Sequence, residues 1–142
     1  MYRTILIPLD NSPADETILA HIRPLARLMK SKIVLVHVAD GFAARTQRTL
    51  NLEDSQEIKE DRAYLERRSE QLRAEGLDVS SELRQGEPAR EILTVADRVG
   101  CDLIAMSTHG HGPIKDVILG SVASDVRHRT DIPVLLIRAK RP

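Results

Sequence analysis

The sequence predicts an α/β fold: one doubly wound, five-stranded parallel sheet with helices on both faces. Three observations predict it. Short apolar, β-branched runs alternate with longer segments whose apolar residues recur at helical spacing, the order that builds parallel sheets. The strongest run, Lys32-Ile-Val-Leu-Val-His-Val-Ala39, is almost continuously apolar, as a strand covered on both faces must be. A further apolar run, Asp102-Leu-Ile-Ala-Met106, leads into a glycine-rich stretch, His109-Gly-His-Gly112, that closes on Gly120-Ser121.

Taken in chain order, each element has a local reason. Ile5-Leu-Ile-Pro-Leu-Asp10 is a short strand ending in Pro8 and Asp10. Asn11-Ser12-Pro13 opens a helix: Ser12 can cap it, Pro13 suits its first turn, and Asp15 and Glu16 favour its positive end. Ile18, Ile22, Leu25, Ala26 and Met29 recur at helical spacing, with a kink or local break expected at Pro24. Residues 41–51 show no period and read as a loop. Leu52 to Glu75 is a charged helix with Ile58, Leu65 and Leu72 in one apolar row, and Gly76 stands where a C-cap belongs. Leu77 to Arg84 is a weaker, alternating strand. Gly86-Glu-Pro88 leads into a helix through about Val99, with Ile92, Leu93, Val95, Ala96 and Val99 as its buried side. Leu103 to Met106 is the fourth strand, and Ser121 to about Arg129 the final helix. Asp131-Ile-Pro133 ends that helix, and Val134 to Ile137 is the last strand. No linker, repeat or low-complexity segment interrupts this order, so residues 1–142 read as one domain.

Composition narrows the function. Lys plus Arg and Asp plus Glu number 21 each, so no net field draws the chain to nucleic acid or anionic lipid. With no Trp, one Phe and two Tyr, it also lacks the aromatic platforms on which single-stranded nucleic acid stacks. The one cysteine, Cys101, cannot form an internal disulfide and reads as a small core residue. No apolar run approaches the ~18 residues of a membrane span, and the N-terminus has no signal-like region; a cytoplasmic protein is expected.

The carboxyl ends of the first, second and fourth strands point to a binding site. A doubly wound sheet binds ligands where the winding direction reverses, and Pro8, Leu9, Asp10, Val38, Met106 and Ser107 all fall at such ends. Glycines let backbone amides approach an anion, and a helix start at Gly120-Ser121 would add unpaired N–H donors and a partial positive charge. Together these predict a nucleotide site.

These residues resemble the universal stress protein family along nearly the whole chain. The resemblance is carried by Ile5-Leu-Ile-Pro-Leu-Asp10, Val34-Leu-Val-His-Val38, Gly86-Glu-Pro-Ala89, Gly120-Ser-Val122 and Pro133-Val-Leu-Leu-Ile137. The family's ATP-binding branch has glycine, two residues, glycine, nine residues, then glycine with serine or threonine. Gly110, His111 to Leu119, and Gly120-Ser121 match its later part, while Ser107 replaces the first glycine. The resemblance implies an adenine nucleotide α-hydrolase-like fold and a dimeric sensor or signalling protein of the stress response that binds ATP or another adenine nucleotide. It implies that backbone groups of Leu9, Asp10 and Val38 border the adenine, that Asp10, Met106 and Ser107 lie near the ribose, and that Pro8 belongs to the same site. It places His109, Gly110, His111, Gly120, Ser121 and Val122 at the phosphates, with Mg2+ bridging them. Ser107 weakens binding where the position needs a glycine conformation and is neutral where only its backbone faces the ligand.

Other residues have plainer readings. His37, within an apolar run, is a hydrogen-bonded core histidine. His109 and His111 lack a third metal ligand. The His109-Gly-His-Gly112 string is similar to a nucleotidyl-transferase signature, but it follows the fourth strand instead of the first. Lys115 is a solvated lysine, and the absence of Gly-Lys-Ser/Thr excludes a P-loop. With no catalytic constellation, turnover is limited to slow ATP hydrolysis or self-phosphorylation at Ser121, Ser124 or Thr108. The rival reading is a nucleotide-free module that binds a protein partner. The strand 133–138, blunted only by Arg138, would pair with its own copy in a homodimer if it is the sheet edge.

Overall fold

The structure, a computed structural model, describes residues 1–40, 51–108 and 113–139. The elements run β1 (Thr4–Pro8), α1 (Ala14–Met29), β2 (Lys32–Asp40), α2 (Asn51–Ala74), β3 (Asp78–Gly86), α3 (Pro88–Val99), β4 (Leu103–Thr108), α4 (Pro113–Arg129) and β5 (Val134–Arg138). The five strands form one sheet in the order β3-β2-β1-β4-β5, every pair parallel. Winding proceeds outward from β1 through β2 to β3, then returns to β4 on the other side of β1 and continues to β5. Right-handed crossovers therefore place α1 and α2 on one face and α3 and α4 on the other.

Strand alternation divides the core accordingly. Ile5 and Ile7 of β1 and Ile33 and Leu35 of β2 pack with Ile18, Leu19 and Ile22 of α1 and with Leu65 and Leu72 of α2. Leu6, Val34 and Val36 pack on the other face with Ile92, Val95 and Ala96 of α3 and with Ala123 and Val126 of α4. Full burial of each such Ile, Leu or Val contributes about 1.5–3 kcal/mol. This is why the central strands read as continuous apolar runs. Asp102 fixes the start of β4 against β1: its carboxylate accepts the amides of Arg3 at 2.9 Å and Thr4 at 3.0 Å, and its own amide donates to the Thr4 carbonyl.

Several boundaries differ from the sequence expectations. Helix α1 runs unbroken through Pro24. Proline deprives the carbonyl four residues back of its donor, but Pro24 and Ala20 both face solvent, where water replaces it. Ser12 is not the cap expected: Pro13 occupies the N-cap position with no side-chain cap, and Ser12 Oγ instead accepts the Ala14 amide at 3.2 Å. Gly76 closes α2 as expected, with φ +89°. Strand β4 extends two residues past Met106, so Ser107 and Thr108 are strand and not turn. The largest correction concerns α4, which starts at Pro113 and not at Ser121. Proline suits a first helical position, and the glycine at 120 is tolerated inside a helix at a cost of about 1 kcal/mol.

Candidate functional site

At the reversal point, β1 is flanked by β2 on one side and β4 on the other, and α3 and α4 cover the face to which Leu6 and Met106 point. A cavity of ≈ 100 Å³ opens there, lined by Pro8, Leu9, Asp10, Val36, His37, Val38, Pro88, Ile92, Met106 and Val122. Six residues expected at the site, Pro8, Leu9, Asp10, Val38, Met106 and Val122, thus meet in one place. Val36, Pro88 and Ile92 were missed. Pro88 and Ile92 arrive because α3 begins at the carboxyl end of β3 and crosses to the face where Met106 points. Only topology carried that signal. A larger hollow, ≈ 320 Å³, lies at the opposite ends of the strands among Tyr2, His21, Leu25, Leu103, Pro133, Val134 and Leu135. It is away from the carboxyl ends, where open α/β sheets hold ligands.

The backbone at the cavity has a specific polarity. The last β1–β2 pairing is Pro8 with Val36, and the Leu9 amide donates to the Val36 carbonyl at 2.8 Å. Val38 is two residues further along β2, so alternation turns its N–H and C=O to the side that Val36 shows Leu9. One donor and one acceptor thus point past the end of β1 toward the cavity. The Leu9 carbonyl is engaged by the Nδ1–H of His37 at 2.8 Å. His37 is therefore hydrogen-bonded, as expected, yet it also forms part of the wall. Its Nε2 faces the Asp61 carboxylate at 3.2 Å.

Ser107 lies on the opposite face of β4 from Met106. It is buried, its Oγ donates to the Ala14 carbonyl of α1 at 2.9 Å, and it does not have positive φ. The position replacing the first glycine is thus ordinary extended strand whose side chain packs into α1.

Gly120, Ser121 and Val122 lie well inside α4, so their amides are not the orphan donors of a helix start. Val122 reaches the cavity, and Ser121 is exposed. His109, Gly110 and His111 lie outside the described residues. Among the described residues, no group of three His, Cys, Asp or Glu side chains could hold a metal ion. No helix among them is long and apolar enough to cross a membrane.

Behind the wall lies a polar cluster that the sequence did not announce. Asp10 Oδ1 accepts the Ser12 hydroxyl at 2.6 Å. Asp15, only 3% exposed, accepts the Asp10 amide at 3.1 Å, the Asn11 amide at 2.9 Å and the Tyr64 hydroxyl at 2.5 Å. Burial and the neighbouring Asp10 carboxylate push its carboxyl up to about 6, against the opposing hydrogen bonds from Tyr64 and the Asp10 amide. Burial and Asp15 likewise push the Tyr64 hydroxyl up.

Comparison with known proteins agrees with this geometry. The sequence model of the universal stress protein family matches residues 1–138. The chain is 29% identical to universal stress protein MJ0577 of Methanocaldococcus jannaschii, covering 99% of this chain and 97% of that one. It is 27% identical to universal stress protein YxiE of Bacillus subtilis, over 97% of this chain and 100% of that one. The solved structure of MJ0577 superposes with a TM-score of 0.87 at 30% identity, covering 100% of this chain and 99% of that one. A universal stress protein of Archaeoglobus fulgidus, solved in complex with dAMP, superposes with a TM-score of 0.71 at 27% identity, covering 96% and 98%.

Proposed function

The chain belongs to the universal stress protein family, and from that premise we propose that it binds an adenine nucleotide, ATP in the first instance, at the carboxyl ends of β1, β2 and β4. The observation that carries this reading is the meeting of Pro8, Leu9, Asp10, Val38, Met106 and Val122 around one cavity at the winding reversal. The Val38 N–H and C=O suit adenine, whose 6-amino group donates and whose N1 accepts; guanine presents the reverse pair. Val36, Ile92 and Met106 supply an apolar surface for the base. Asp10 supplies a carboxylate for ribose hydroxyls. The relative from Archaeoglobus fulgidus, bound to dAMP, supports an adenine ligand in this fold.

In this reading the phosphates run toward residues 109–112 and the exposed Ser121, with Mg2+ riding on the phosphates. His109, Gly110 and His111 remain the proposed contacts from the sequence. Ser107 is compatible with binding, because its side chain is turned to α1 and only its backbone is left for the ligand. The proposed role is a cytoplasmic dimeric sensor whose occupancy alters a surface read by a protein partner. The dimer forms through β5, an edge strand with Leu136 39% exposed.

Calorimetry with ATP, ADP, AMP and GTP tests the reading. Binding of the adenine nucleotides, weaker binding of GTP, and loss of ATP binding in folded Gly110→Val are expected. No heat with any nucleotide at millimolar concentration sinks it in favour of the nucleotide-free module.

A further inference from the structure

The Leu9–Asp10 peptide borders the cavity, and both of its polar groups are engaged from behind. Its carbonyl accepts from His37 Nδ1–H at 2.8 Å, and its N–H donates to Asp15 at 3.1 Å. Each of those side chains is in turn held by α2. Asp61 Oδ2 faces His37 Nε2 at 3.2 Å, and Tyr64 donates to Asp15 at 2.5 Å. Asp61 and Tyr64 are three residues apart, so they share one face of the helix. The second oxygen of Asp61 accepts from the Asn11 side chain at 3.4 Å. One helix thus braces both ends of a single peptide at the cavity. Of residues 56–63 in α2, only Ile58 and Asp61 are shielded from solvent, whereas the buried apolar anchors Leu65 and Leu72 come later. Docking of this stretch therefore leans on the brace.

His37 adds a condition on protons. It stands two residues beyond Leu35 on β2, so its ring points to the face that α1 and α2 cover. A carbonyl and a carboxylate both only accept, so both ring nitrogens must donate, and only the imidazolium does that. Both side chains of the His37–Asp61 pair are mostly buried, so water screens the contact little. Asp10 and Asp15 lie beyond Leu9 on the side of α1. From β3 the register partner is Leu83, while its neighbours Glu82 and Arg84 pair with Arg98 and with Glu91 of α3.

Given the nucleotide reading above, we propose that Asp61 is a positioning residue of that site, acting through His37 on the Leu9–Asp10 peptide, and that a filled cavity in return docks residues 56–64 of α2 more firmly. With α2 docked, the peptide is fixed before a ligand arrives. With α2 undocked, the ligand must order the peptide itself, and affinity falls. The coupling is reciprocal: the factor by which docking raises ligand affinity is the factor by which ligand favours docking. The exposed, charged stretch 56–63 is then the surface whose order follows occupancy.

Adenosine, which carries no phosphate to titrate, is the probe. Amide hydrogen exchange of residues 56–64 and calorimetry are measured on wild type, Asp61→Ala and Asp61→Asn across roughly pH 5 to 8, where histidines titrate. In wild type, saturating adenosine is expected to slow exchange in that stretch about fivefold, and Asp61→Ala to bind adenosine about fivefold more weakly without such slowing. Asp61→Asn separates bracing from packing. Its amide can donate to a neutral Nε2, so it suits the unprotonated ring where the carboxylate suits the protonated one. The ratio of wild-type to Asp61→Asn affinity is therefore expected to fall as pH rises, with Asp10, Asp15 and Glu16 cancelling because both chains carry them. A ratio that is flat or rises, adenosine that leaves the exchange of α2 unchanged, or Asp61→Ala binding as tightly as wild type overturns the role of Asp61 and leaves the nucleotide site standing. Absence of adenosine and ATP binding by folded wild type removes the site, and the role of Asp61 with it. Should Asp61→Ala fail to fold, the isosteric Asp61→Asn decides by the same ratio.

Discussion

Ionising Asp15 destabilises the fold, although its carboxylate accepts three hydrogen bonds. Burial at 3% exposure and the adjacent Asp10 charge outweigh those bonds and move the carboxyl from its ordinary 3.8 to about 6. The folded protein therefore holds the proton more tightly than the unfolded chain. The resulting stabilisation is fully present below pH 3.8 and is lost as pH rises through about 6. A carboxyl moved from 3.8 to about 6 carries about 3 kcal/mol in total, of which roughly 1 kcal/mol is lost between pH 5 and pH 7. Urea denaturation of wild type and Asp15→Asn at half-unit intervals isolates the effect, because the other titrating groups cancel in the difference. Wild type minus variant should decline by roughly 1 kcal/mol over that interval, equivalent to about 3 °C in Tm for a domain of this size. A difference that instead grows with pH would mean that the three donors win over burial, and the reasoning about this cluster would be wrong in sign.

Four further outcomes follow from named contacts. Ser107→Gly should cost about 1–2 kcal/mol through the lost hydrogen bond to Ala14 and added chain entropy. It should also leave ATP affinity within about threefold; a large gain in affinity would show that the hydroxymethyl group obstructs the ligand. Cys101, 6% exposed with its thiol pushed up to about 11 chiefly by burial, should resist iodoacetamide in the native protein at pH 7.5 and react in urea. Rapid native alkylation, followed by mass spectrometry, would contradict that placement. Leu136→Asp on the β5 edge should convert a dimer to monomer in sedimentation velocity; an unchanged dimer moves the interface elsewhere. Leu6→Ala, at the centre of the face covered by α3 and α4, should cost about 2–5 kcal/mol in thermal or urea unfolding, and a loss below 1 kcal/mol would mean that the site collapses freely.

The architecture was legible because it rests on short-range signals. Each strand buried on two faces needs consecutive apolar residues, and each crossover helix needs an apolar stripe, so Ile5 to Ile7 and Ile33 to Val36 could be read directly. The strand ends then located the cavity without any knowledge of side-chain contacts. Element starts were less legible where two signals competed. Gly120-Ser121 looks like a helix opening, but Pro113 opens the helix earlier, and the local preference of one glycine is too weak to break a helix already packed through Ala123 and Val126.

The Asp15 cluster was illegible for a different reason. In the sequence, Asp15 is an acid in the first turn of a helix, where an acid is favoured whatever it touches. Its side-chain partner is Tyr64, on a helix that arrives only after β2 has been laid beside β1. The tyrosine hydroxyl and the carboxylate are 49 residues apart, and nothing in the periodicity of α2 distinguishes Tyr64 from the other half-buried positions along it. The apolar pattern records which face of a helix is covered, not which polar atom meets which. An apolar, backbone-lined cavity at the strand ends can thus be foreseen from sequence, whereas the buried charged groups behind it emerge only once separate elements are packed together.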